Sequence, residues 1–430
     1  MHTLKRFSAP LGVILRSASG MISVRIAGKK GNWLLGLRRF SLTSDTSFNP
    51  ITSALLENDK IKVQWQNGQY SELHNVWLRD HCNCAKCLNQ ETFQRELDLL
   101  EIPLDIKPSN VTTTGDILEL KWPDNHVTVF NSDWLIEHAY KPDTLTRVED
   151  WVEPVLWDRS IISSVKLPNI TFESVLQNEK ERCRVSNLIE KYGFAFVHET
   201  PTDVSSIEKL SYALAGFVRE TNYGRLWEFS NEVMDHADTA YTAQRLEAHT
   251  DSTYFTDPAG LQLLHCTFHD GKGGESLLVD GFHCAEVLKQ TNLKAFEFLS
   301  SHKIPFHFKD DKIQFKANGH VIELDPFTNE VARIRFNMYD RDILNCLPAE
   351  DVPKFYNAFK AFASVIRNPE NEYWFKLTPG KCLVMGNWRV MHGRSGFTGL
   401  RKMQGCYSNR DDFRSHFRPK YQTYKKYELD

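Results

Sequence analysis

What most constrains this chain is the stretch Glu247-Ala-His-Thr-Asp-Ser-Thr-Tyr254, which sets His249 and Asp251 two residues apart in a segment of extended character. Side chains alternate across a strand, so positions i and i+2 face the same way and can deliver an imidazole and a carboxylate to one point. Two ligands do not close a metal site. The third is expected from His392, in Asn387-Trp-Arg-Val-Met-His-Gly-Arg394, which must arrive on a distant strand. Two histidines and one carboxylate on one face leave the opposite coordination positions open, a donor set suited to Fe(II).

The N-terminus differs from everything after it. Before Asp45 there is no acidic residue, while eight basic ones, from Lys5 to Arg39, are spread among serines and apolar residues. That composition predicts a mitochondrial presequence over residues 1–42, cut near Arg38-Arg-Phe-Ser41, and a place in the mitochondrial matrix. Removing it takes the formal net charge from −3 to −11, which argues against nucleic acid as a partner. No run approaches the roughly eighteen unbroken apolar residues of a membrane span, so no transmembrane helix is expected.

A small domain is expected over residues 50–155. Ile61–Trp65 and Tyr70–Leu78 alternate as strands do, with Asn67-Gly68 as a hairpin turn between them. Cys82, Cys84 and Cys87 then follow in six residues, and thiolates so spaced favour zinc in a closed tetrahedral site. His126, between a turn and an alternating strand, is the expected fourth ligand, with His81 and His138 as rivals. Such a zinc is structural: it helps hold a small sheet that buries little apolar surface by itself. Trp151–Asn169, with two prolines and little periodicity, reads as a linker.

The large domain is expected over residues 165–430. Phe172–Tyr192 has helical spacing and Gly193 as its stop; Phe194–Val197 is a buried strand, and a second helix starts at Ser205. Six strand-like runs follow: Leu261–Cys266, Ser276–Asp280, Ile304–Phe308, Val331–Phe336, Cys382–Met385 and Gly405–Ser408. One helix interrupts them, opening near Asp351 with Pro353 in its first turn and stopping by Pro369. The pattern is mainly β with flanking helices, an antiparallel barrel or jelly roll with small-molecule chemistry in its mouth.

His249-x-Asp251, Gly273-Gly-Glu-Ser-Leu-Leu-Val-Asp280, the run from Asn387 to Arg394, and Arg401 together resemble the Fe(II)/2-oxoglutarate-dependent oxygenases of the double-stranded β-helix fold. Asn75-Val-Trp-Leu-Arg-Asp-His-Cys82, Arg219–Trp227, Asp238–Thr242 and Phe397-Thr-Gly399 narrow the resemblance to the γ-butyrobetaine dioxygenase family, which includes the trimethyllysine dioxygenases, over nearly everything after residue 60. The resemblance implies a jelly-roll catalytic domain that hydroxylates trimethyllysine at C3 with 2-oxoglutarate and O2, the first step of carnitine synthesis; hydroxylation of γ-butyrobetaine is the alternative. It also implies ascorbate as reductant and a homodimer.

By the same resemblance, Arg401 holds the far carboxylate of 2-oxoglutarate in a bidentate fork, with Ser276 helping at that end. A trimethylammonium group has charge but no N–H, so aromatic faces must recognise it, and Tyr223, Trp227, Tyr241 and Tyr407 match the family's cage. Asp238 is placed to pair with the α-amino group that γ-butyrobetaine lacks, and Asn337 is a second polar contact. One departure stands out: Gly386 occupies a position where the family usually has aspartate.

Overall fold

A computed structural model describes residues 50–140, 152–231 and 242–424. The expected presequence, and with it Asp238 and Tyr241, lie outside the described residues. The chain divides into two compact units, Met1–Lys141 and Pro142–Asp430.

The first unit holds two three-stranded antiparallel sheets, Ile51–Glu57, Lys60–Trp65 and Tyr70–His74 in one, Asn110–Thr114, Ile117–Lys121 and Val127–Asn131 in the other. Alternation decides their faces: Ile61, Val63 and Trp65 point inward to a shared core with Leu118, Leu120 and Phe130. The strand expected to run from Tyr70 to Leu78 stops at His74, and Asn75–Asp80 is a helix instead. Burial at Asn75 and Leu78 suits one turn of helix, so a short alternating run satisfies both periods and tertiary packing chooses.

In the second unit a six-stranded sheet has the order Ile170–Thr171, Phe194–His198, Cys382–Gly386, Leu261–His269, Arg401–Ser408, Trp227–Ser230, antiparallel except for the first pair. A four-stranded sheet has the order Leu246–His249, Val390–Arg394, Ser276–Asp280, Tyr373–Phe375. Neighbouring side chains take opposite faces. Leu383 and Met385 meet Leu278 and Val390 in a cluster that both sheets share, whereas Cys382 and Val384 face the helices Glu179–Tyr192 and Val204–Ala215. On the other sheet Leu277, Val279 and Met391 face Phe282, Phe355 and Phe362 of further helices. Mixed sheets with flanking helices are therefore the observed architecture.

Three local expectations change. The helix expected over Phe172–Tyr192 is two, Phe172–Gln177 and Glu179–Tyr192, because Asn178 ends the first and caps the second by accepting a hydrogen bond from Lys180 N. More than one helix interrupts the strands: Gly281–Thr291 and Leu293–Ser301 precede Val352–Ile366. Asp280 hides the first of these, being at once the last strand residue and the helix cap, with its carboxylate also 2.7 Å from Arg389 in a buried ion pair. The segment expected as a linker is built into the second unit: it contains a helix, Arg159–Ser164, and buried Trp157 donates its indole N–H to Tyr192 O at 2.7 Å.

Candidate active site

His249 and His392 are directly opposed residues of neighbouring antiparallel strands, and their ring centroids lie 4.4 Å apart. A bulge between Leu246 and His249 puts an extra residue in that strand and re-aims it, as bulges beside active sites do. Asp251 follows two residues on, with Oδ1 3.3 Å from His249 Nε2 and Oδ2 3.8 Å from His392 Nε2. One donor atom from each lies within 4.8 Å of the others.

The donor chemistry asks for a cation. His249 Nδ1 faces the carbonyl of Glu247, at 2.8 Å, so a neutral ring would turn its Nε2 lone pair toward a carboxylate oxygen. Although burial works against it, the Asp251 carboxylate and the Glu247 carbonyl raise the pKa of His249, so that a proton takes the place between Nε2 and Asp251 when no ion does. Two acceptors at that distance need a proton or a metal ion between them. Burial disfavours the charged form of Asp251, but the two imidazoles and the Tyr407 hydroxyl outweigh it and hold the carboxyl well below its usual range. Burial pushes His392 down to about 4, so it is neutral at pH 7 with a lone pair to give. These residues fit a divalent ion.

They lie on the wall of a cavity of about 350 Å³. Arg401 and Ser276 lie on the same wall. The Arg401 side chain is 5 % exposed, its Nε has no hydrogen-bond partner, and no acidic group among the described residues pairs with it. A guanidinium so desolvated calls for an anion from outside the chain. Tyr223, Trp227 and Tyr407 are on the wall too, with Trp227 and Tyr407 ring centroids 5.6 Å apart. Gly405 makes room for that indole: a Cβ there would sit 1.9 Å from the Trp227 ring.

In the first unit, His126 Nε2 lies 3.3, 3.6 and 3.5 Å from the sulfurs of Cys82, Cys84 and Cys87. A tetrahedral zinc with ordinary Zn–S and Zn–N bonds would separate sulfur from nitrogen by about 3.5 Å, so these donors fit it. The rivals are engaged elsewhere: His81 stacks on Trp77 and bonds its carbonyl, and His138 does the same with Trp134.

Residues 160–407 match the family described as taurine catabolism dioxygenase TauD, TfdA family, and residues 54–136 match the γ-butyrobetaine hydroxylase-like N-terminal family. Mouse (Mus musculus) mitochondrial trimethyllysine dioxygenase is 39% identical over 362 residues, covering 82% of this chain and 84% of its own. The chain belongs to the TauD/TfdA dioxygenase family. Within it, the yeast Meyerozyma guilliermondii trimethyllysine dioxygenase is 36% identical, covering 84% of this chain and 94% of its own; human γ-butyrobetaine dioxygenase is 30% identical, covering 83% and 93%.

Some members of this dioxygenase's site were not singled out from the sequence. Asn387 braces the loop that carries Asp251, accepting from Asp251 N at 2.8 Å and donating to Asp251 O at 3.0 Å and Ala259 O at 2.9 Å. Gln262 donates to Asp251 Oδ2 at 2.6 Å. Arg394 lines the cavity and ties the carbonyls of Thr242 and Gln244. The available signal was polarity inside apolar strands, as in Leu261-Gln-Leu-Leu264. Asn337 lines the cavity, but its amide is engaged by Asp340 and Tyr339 N within its own turn. At Gly386 a Cβ would meet only ordinary contacts at 3.6 Å or more, so nothing in the structure demands glycine there.

Proposed function

We propose that this chain hydroxylates N6,N6,N6-trimethyllysine at C3, with 2-oxoglutarate decarboxylated to succinate and CO2, in a double-stranded β-helix domain joined to a zinc-stabilised N-terminal domain spanning about residues 50–155. The observation that carries the reading is that a two-histidine, one-carboxylate donor set and an unneutralised buried arginine share one cavity. The names of the relatives above support the substrate.

Bound Fe(II) would be held by His249, Asp251 and His392 and would supply the oxidation chemistry, with O2 as oxidant and ascorbate keeping the metal reduced. The residues do the rest. Arg401, with Ser276, binds the distal carboxylate of 2-oxoglutarate and so fixes its keto-acid end toward the metal. Tyr223, Trp227, Tyr241 and Tyr407 present π-faces to the trimethylammonium group, each worth ~0.5–2 kcal/mol. Asp238 takes the α-ammonium and Asn337 adds a polar contact. Cys82, Cys84, Cys87 and His126 hold zinc and take no part in catalysis. Matrix localisation rests on the basic N-terminal segment and on relatives named mitochondrial, and a homodimer on the family resemblance.

The test is turnover of the purified protein with Fe(II), 2-oxoglutarate, ascorbate and O2, given trimethyllysine or γ-butyrobetaine separately. Succinate and hydroxytrimethyllysine should form one for one. Equal or faster turnover of γ-butyrobetaine would overturn the substrate, and absence of O2-dependent succinate would overturn the reaction.

A further inference from the structure

The second oxygen of Asp251 is held from the opposite sheet. Gln262 and Tyr407 are cross-strand neighbours in the six-stranded sheet, 2 % and 6 % exposed, and both reach the same atom: Gln262 Nε2 donates to Asp251 Oδ2 at 2.6 Å and the Tyr407 hydroxyl at 2.8 Å. Two short bonds to an anion occupy the lone pairs of that oxygen. Oδ1 has no such donors and faces His249 Nε2. The glutamine cannot be flipped, since its amide oxygen would then face a carboxylate; the present orientation leaves Gln262 Oε1 buried without a partner. A buried amide oriented against its own hydrogen-bonding interest is spent on holding Asp251.

We propose that Gln262 and Tyr407 are positioning residues for the metal: they saturate Oδ2, so that Asp251 offers Oδ1 alone and binds as a single-toothed ligand. This rests on the iron reading above. It gives Tyr407 a second duty, because its ring lines the cavity while its hydroxyl grips a metal ligand. It also bears on the reaction, since a carboxylate binding through both oxygens would take a coordination position that 2-oxoglutarate and O2 need.

The test uses the full chain with its zinc in place and Mn(II) as an air-stable probe, titrated calorimetrically. Tyr407→Phe, which keeps the ring, and Gln262→Leu should each weaken Mn(II) binding by about 10- to 100-fold. Gln262→Glu, of equal length but bearing a like charge, should weaken it further. The melting temperature of the metal-free Tyr407→Phe variant should stay near that of the parent, and the visible spectrum of its Co(II) form should change. Parent-like Mn(II) affinity in Tyr407→Phe and Gln262→Leu would overturn the inference while leaving the iron reading intact. A parent protein that binds no Mn(II) at the triad would overturn both.

Discussion

The two donor clusters differ in what they leave free. Around His126 three sulfurs and one nitrogen stand at nearly the separations a tetrahedral ion sets, with Cys82 and Cys87 buried, so a zinc there would be fully enclosed by protein donors. Around Asp251 three donors converge among the described residues, on the wall of a cavity that also carries Arg401, with which no acidic group among those residues pairs. Donor count thus separates a site that can only hold from one that can also react. The neighbours follow suit. Arg79 donates to Cys87 Sγ at 3.4 Å, softening the charge of a thiolate cluster, whereas the bonds of Gln262, Tyr407 and Asn387 aim one carboxylate.

Substitutions can break that contrast. The largest effect is expected from His392→Ala, which should abolish turnover and Mn(II) binding while leaving one zinc per chain, as read by elemental analysis. Cys84→Ser should do the reverse: zinc is lost and the melting temperature falls by many degrees, with kcat per folded molecule unchanged. Loss of kcat in step with zinc, at constant folded fraction, would erase the distinction. Arg401→Gln should raise KM for 2-oxoglutarate by about 10- to 100-fold, the loss of a charge-assisted pair worth roughly 1.5–3 kcal/mol, with Mn(II) affinity untouched. Smallest is Gly405→Ala, whose new methyl displaces the Trp227 indole; KM for trimethyllysine should rise several-fold, one aromatic face of ~0.5–2 kcal/mol, and KM for 2-oxoglutarate should not move.

The same contrast governs what could be read from the sequence. Cys82, Cys84 and Cys87 lie within six residues and advertise a shared centre by spacing alone. His249 and Asp251 suggest one by their two-residue spacing, although the strand ends at His249 and Asp251 stands just past it, and nothing local says that His392 stands opposite His249; that is a matter of sheet register. Gln262 shows in the sequence only as a polar residue inside an apolar strand, and the purpose of Gln262 and Asn387 appears only when a second sheet or a distant loop brings Asp251 to them. In the fold, the unbroken apolar run Phe194–Val197 and the helical spacing around Phe355 and Phe362 emerge as expected. The helix after Asp280 was missed because its cap doubles as the end of a strand, and Trp157 because burial of a single aromatic leaves no pattern in a proline-bearing segment.

An open iron site can be observed without turnover. Nitric oxide, added anaerobically to the Fe(II) protein, stands in for O2 at a vacant coordination position and gives a half-integer-spin signal in electron paramagnetic resonance. That signal should form at the His249, Asp251 and His392 site, change shape when 2-oxoglutarate is added, and vanish in His392→Ala with zinc still bound. A spectrum indifferent to nitric oxide and to 2-oxoglutarate would mean that the three donors enclose their ion as completely as the cysteines do.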